Sequence, residues 1–256
     1  MAAQENEQFR APWWLWPNLL SLDAALVAMV WQRFLAETIT AVQPVATAIL
    51  GLSVWLVYTA DRLLDTSSAC AGAESPRHQF ARAYRRPLEL VAVPVFLLDV
   101  GLAFAYLPTA QILAGFVLVA AVVARFYAVV RPPHGVWRKE FWTAVIFAAG
   151  VWGPVLLSNP FRPGVLVFVL LCWWNCLAIE TWERPILPRP LAAAAAGLAV
   201  AAVVFFAWTH RPVALAEALS AVGFCYLAAW GHKFSANARR VAVDFCLLSP
   251  LLVYVR

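Results

Sequence analysis

An all-α, polytopic membrane protein is the fold class predicted for this 256-residue chain, and three observations predict it. Hydrophobic residues make up 63% of the chain and charged residues only 13%, which suits contact with lipid better than a soluble core. The apolar residues fall into runs close to the length of a bilayer-crossing helix and much longer than barrel strands. Charges, Pro or Gly separate the runs, and in lipid a helix satisfies all its backbone groups within one segment. A bundle of about nine transmembrane helices follows, with residues 1–15 as a cytoplasmic amino-terminal tail and 16–256 as a single domain.

The first run, about 16–32, carries Asn18 and Asp23 and follows a polar, mixed-charge terminus that does not read as a cleaved signal. The second, about 42–60, leads into Val57-Tyr58-Thr59-Ala60-Asp61-Arg62-Leu63-Leu64-Asp65. The third and fourth, about 89–106 and 110–130, hold Asp99 and Arg125, and the fifth, about 141–157, follows Arg138-Lys139. The sixth, about 164–182, closes on Asn175-Cys-Leu-Ala-Ile-Glu180-Thr-Trp-Glu183-Arg184. The last three cover about 190–208, 213–231 and 241–255, the ninth with Asp244 four residues after Arg240. That spacing predicts an Arg240–Asp244 pair. Trp13, Trp14, Trp16, Trp31, Trp137, Trp142 and Trp208 fall at or near run ends, where an aromatic belt is expected. Asn18, Asp23, Asp99 and Asp244 are expected to face the bundle interior, because lipid penalises exposed polar groups, and Asn18 and Asp23 are candidates for a cavity floor.

Basic residues collect in the amino terminus and in the connections after the second, fourth, sixth and eighth runs, among them Arg62, Arg77, Arg138, Lys139, Arg184, Arg239 and Arg240. Positive charge marks the cytoplasmic face. The amino terminus and Asp61 are therefore expected inside and the carboxyl terminus outside, in a bacterial cytoplasmic membrane. The basic residues form no helix or stripe of the kind that binds nucleic acid. Five cysteines, at positions 70, 172, 176, 225 and 246, show no CxxC and no Cys/His cluster, and four lie in or beside apolar runs as small hydrophobes.

Two acidic clusters stand out against this background. Asp61 and Asp65 are i,i+4 neighbours on a helix; Glu180 and Glu183 are i,i+3, with Asn175 deeper in the same run. Both pairs reach the same membrane surface, at equivalent ends of the second and sixth runs. Facing carboxylate pairs can hold magnesium through oxygen ligands and leave coordination positions for phosphate oxygens, while nearby Arg and Lys neutralise the remaining charge. A lipid diphosphate suits such a site.

In these features the chain resembles the UbiA superfamily of intramembrane prenyltransferases, nine-span proteins with acidic motifs after the second and sixth spans. Tyr58-Thr-Ala-Asp61-Arg62-Leu-Leu-Asp65 is similar to the end of the family motif NDxxDxxxD. Arg125-Phe-Tyr127 through Arg138-Lys139, followed by Phe141 to Gly150-Val-Trp-Gly153-Pro154, resembles the family's basic loop and glycine-containing fifth helix. Val57 and Tyr58 depart from the usual Asn and Asp, and Glu180 and Glu183, followed by Leu187 and Pro188, stand where a fuller DxxxD is usual. The resemblance implies an enzyme with Mg2+ held by Asp61, Asp65, Glu180 and Glu183 as metal-binding and catalytic residues. It implies substrate contacts from Arg62, Lys139, Asn175, Arg184, Tyr58 and Tyr127. The partners implied are a polyprenyl diphosphate and an aromatic or other lipophilic acceptor. The alternatives are a UbiA-like terpene cyclase, a catalytically reduced lipid-binding scaffold, or a transporter of an organic anion; the last usually shows broken helices near the midplane.

Overall fold

The computed structural model describes residues 11–67, 76–130, 136–160, 162–183, 191–209 and 211–254. All regular elements among them are helical: a short 3-10 turn at Trp13–Leu15, then α1 (Trp16–Leu19), α2 (Leu22–Thr38), α3 (Pro44–Ser67), α4 (Pro76–Ala83), α5 (Arg85–Tyr106) and α6 (Thr109–Val130). They continue with α7 (Val136–Ser158), α8 (Gly164–Glu183), α9 (Leu191–Thr209), α10 (Pro212–Trp230), α11 (Ala236–Cys246) and α12 (Pro250–Tyr254). Among the described residues seven helices are long and apolar enough to cross a membrane, and an eighth span is obtained if Trp13–Leu19 and Leu22–Thr38 are counted as one.

The first and ninth runs differ from the straight spans expected of them. The first bends by 74° between Leu19 and Leu22. Ser21 makes the corner with a left-handed backbone (φ 60°, ψ 20°), a conformation that costs a residue with a Cβ. The ninth run is divided between α11 and α12, neither of which is long enough alone to cross a bilayer. Ser235 caps α11 by accepting from the Ala238 amide, and Pro250 opens α12. The break is pinned to α10: Ser220 Oγ donates to the Cys246 carbonyl and Ser249 Oγ to that of Ala216.

The core lies where α2, α7, α8 and α10 meet. Trp31, Phe168 and Trp152 are fully buried there, with the Trp31 and Phe168 ring centroids 4.7 Å apart, and Trp174 stacks on Phe224. Trp31 is therefore a core residue and not part of an interfacial belt: its indole N–H donates to the Leu247 carbonyl, which satisfies its polar edge inside the bundle. Trp13 and Trp208 are exposed, as a belt requires. The small side chains of α9, with Ala195 and Ala202 fully buried, let it lie close against α10. By contrast α5 and α6 leave nearly their whole surface open, α5 packing on α3 and α6 on α7. Asp99 is the exception on α5; it turns inward and accepts from Ser53 Oγ of α3 at 2.7 Å.

Short α4 is fixed by Phe80, which is buried against Leu15 and Leu19 and meets Trp16 edge to face. This anchor sets α4 beside the corner of the first run. It places Arg77, one turn earlier, at the end of the bundle where α3 and α8 finish.

Candidate functional site

The helical spacing of both acidic clusters is present: α3 runs through Asp61 and Asp65, and α8 through Asn175, Glu180 and Glu183. Asp61 is held from across the bundle. Arg125 Nη1 of α6 lies 2.9 Å from its Oδ1, while Arg125 Nε donates to Thr143 Oγ1 of α7. Thr143 in turn donates to the Lys139 carbonyl, so the start of α7 supports the arginine that holds Asp61.

Glu183 has two cationic partners. Arg77 Nη2 donates to its Oε2 at 2.7 Å, and Arg240 Nη1 of α11 stands 2.9 Å from its Oε1. The second contact is an ion pair without hydrogen-bond alignment: neither Arg240 Nη1 nor Glu183 Oε1 has a hydrogen-bond partner among the described residues. Arg240 Nη2 donates to Asn237 Oδ1. The pairing of Arg240 with Glu183 replaces the expected Arg240–Asp244 contact as its ion pair. Asp244 instead accepts from Asn175 Nδ2 at 3.0 Å.

Arg62 is buried, and its Nη1 donates to the carbonyls of Asn18 at 2.6 Å and Leu19 at 2.7 Å. It thus adds a side-chain donor at the end of α1, where the Asn18 carbonyl also accepts from the Ser21 amide, and fastens the corner of the first run to α3. Arg77 and Arg240 are near enough for their charges to act on it. Below the three arginines, Asn18 Nδ2 donates to Asp23, and Asp23 stands close to Asp244.

Cys176 marks the middle of the arrangement, since the charges of Glu140, Asp244, Arg125 and Arg77 all reach it. Tyr58 faces the same interior, within electrostatic range of Cys176, Asp244, Cys172 and Asp23. These groups are contributed by α2, α3, α4, α6, α7, α8 and α11. The inward side of α11 carries Asn237, Arg240 and Asp244, and its other side forms, with Trp14, an apolar groove of about 500 Å³ lined by Ala238, Val241, Ala242 and Phe245.

Of the other residues named from the sequence, Lys139 and Glu180 are half-buried at the ends of α7 and α8. Tyr127 is 74% exposed on α6, away from the interior. The Asp65 side chain and all of Arg184 lie outside the described residues. Of the carboxylates expected to hold magnesium, Asp61 and Glu183 are engaged by arginines, and no three His, Cys, Asp or Glu side chains come together among the described residues.

Sequence reasoning gave Arg77 and Arg240 a topological role and passed over Glu140, yet all three belong here. One signal was available. Over 236–246 the polar side chains Asn237, Arg240 and Asp244 share one face of a helix, and Ala238, Val241, Ala242 and Phe245 share another. Comparison of the chain with protein-family models, curated proteins and solved structures finds no match.

Proposed function

We propose that this protein is a membrane-embedded prenyltransferase that moves an isoprenoid chain from a polyprenyl diphosphate to an aromatic or other lipophilic acceptor. The observation that carries the reading is the gathering of Arg62, Arg77 and Arg240 at one end of an apolar bundle, where Arg77 and Arg240 pair with Glu183 from the end of α8. An anionic head group would be met by guanidinium groups at that end, and an isoprenoid tail would extend among the apolar helices beyond Asn18, Asp23 and Asp244.

The chemistry follows from where charge develops. The bond between the allylic carbon and the bridging oxygen breaks, the diphosphate leaves with the electron pair, and the fixed guanidinium groups stabilise it. The acceptor atom then bonds to the allylic carbon and gives up its proton to the released diphosphate. Tyr58 and Cys176 line the interior where that carbon would lie, and the surrounding helices limit its access to water. By the charge asymmetry of the loops this end faces the cytoplasm. The ninth span of the proposed UbiA-like bundle corresponds to α11 and α12 together.

A second reading has its own support. The arginine pairing of Asp61 and Glu183 also suits a scaffold that binds an anionic lipid without reacting with it. The test is equilibrium binding of radiolabelled prenyl diphosphates of fifteen and twenty carbons to the detergent-purified chain, with magnesium or with a chelator, followed by assay of released diphosphate. Saturable binding and diphosphate release, both reduced by Asp61→Asn and Arg240→Gln, are expected. Binding without release leaves the scaffold, and no binding at any chain length by folded protein sinks both readings.

A further inference from the structure

We infer that Arg77 and Arg240 form a two-guanidinium site for a phosphate-type anion, and that Glu183 is an internal anion that occupies the site until the ligand displaces it. The inference rests on the proposed reading that the substrate carries a diphosphate, and it gives Glu183 a role opposite to that of a metal ligand.

The donor inventory comes first. Each guanidinium carries five N–H donors and no acceptor. Arg77 directs Nη2 to Glu183, while its buried Nε has no acceptor among the described residues. Arg240 is 3% exposed; its Nη2 goes to Asn237, and neither its Nε nor its Nη1 has a hydrogen-bonded acceptor. Buried donors of this kind are costly to leave unpaired, above all on charged groups. One carboxylate, aligned with Arg77 and misaligned with Arg240, cannot satisfy them. A phosphate offers more oxygens in a geometry that matches the planar fork of arginine.

Charge points the same way. Two guanidinium groups share a single carboxylate, and Arg62 adds a third positive charge within range. Arg62 Nη1 is already bound to the α1 carbonyls, so its contribution here is a fixed field. Asp23 and Asp244 oppose it from below, but each is engaged by an amide, Asp23 by Asn18 Nδ2 and Asp244 by Asn175 Nδ2. Glu183 thereby performs in the empty protein what a phosphate performs in the complex: it offsets cations contributed by α4 and α11 and ties both short helices to α8.

An internal anion and a metal ligand respond differently to neutralisation. With the full-length chain in detergent and a chelator present, Glu183→Gln should bind inorganic pyrophosphate and a fifteen-carbon prenyl diphosphate about tenfold more tightly than the unaltered protein, the factor set by one charge-assisted contact. Arg77→Gln and Arg240→Gln should weaken both by a similar factor. If Glu183→Gln leaves the buried Arg240 unpaired and the protein unstable, pyrophosphate should raise its thermal midpoint by more than that of the unaltered protein. Chloride at equal ionic strength should not. Tighter pyrophosphate binding without any prenyl diphosphate binding keeps the anion site and removes the prenyl substrate. Prenyl diphosphate binding that requires magnesium and disappears in Glu183→Gln overturns the internal-anion role and leaves the transferase reading intact. Affinity in Arg77→Gln and Arg240→Gln equal to that of the unaltered protein overturns the site itself.

Discussion

Arg125 and Asp61, 64 residues apart in the chain, lie with Nη1 and Oδ1 2.9 Å from each other and join α6 to α3. Asp61 is about a third exposed, which limits the coupling to about 1 kcal/mol. Arg125→Gln and Asp61→Asn should each lower the thermal midpoint in detergent, and the double variant should lose less than the sum of the two. Strict additivity would mean that the contact contributes nothing to stability. Arg125→Gln should be the worse of the pair, since it also removes the donor to Thr143.

The corner of the first run makes a backbone prediction. Ser21 is left-handed and buried, so Ser21→Gly should be neutral or stabilising by up to about 1 kcal/mol, with relief of Cβ strain set against greater freedom of the unfolded chain. Ser21→Val should cost about 2 kcal/mol, because a β-branched side chain fits that conformation worst. Thermal unfolding of the two variants checks the order. A valine variant as stable as the glycine one would show that the corner is not left-handed.

Glu217 is fully buried in α10, and neither of its carboxyl oxygens has a hydrogen-bond partner among the described residues. Its neighbours include Trp152 and the start of α8, since a Cβ on Gly164 would stand 3.4 Å from Glu217 Oε1 and 3.1 Å from Trp152 Cη2. A buried unpartnered carboxyl costs about 1–3 kcal/mol. Glu217→Met should therefore raise stability by that order and leave pyrophosphate binding unchanged. A fall in thermal midpoint would reveal a partner for the carboxyl and assign it a structural role.

Close approach of α10 to α11 depends on Gly223. A Cβ there would stand 2.7 Å from Cys246 Sγ and 3.2 Å from Cys246 Cβ, so the Cys246 side chain or the end of α11 would have to shift. Gly223→Ala should cost about 1–3 kcal/mol by overpacking. It should also weaken pyrophosphate binding through Arg240, which rides on the same helix. Adding Cys246→Ala removes the sulfur and should recover most of both losses; no recovery would place the strain elsewhere.

By itself the sequence determined that this chain is helical and lies in a membrane, because run length and the absence of water in lipid are local constraints with few solutions. It also determined that Asp61 with Asp65, and Glu180 with Glu183, share helix faces, since that follows from 3.6 residues per turn. It did not determine which charge meets which. Arg240 is one helical turn from Asp244, yet its ion pair is with Glu183 on another helix; Arg62 follows Asp61 directly, yet its Nη1 binds the carbonyls of α1. Those choices depend on the rotation and approach of whole helices, set by buried contacts such as Trp31 on Phe168 and Phe80 on Leu15 and Leu19. The corner at Ser21 and the break before Pro250 were likewise decided by tertiary contacts. Arg62 fastens the first and Ser249 the second, and an apolar run carries little signal that a distant side chain will capture its backbone.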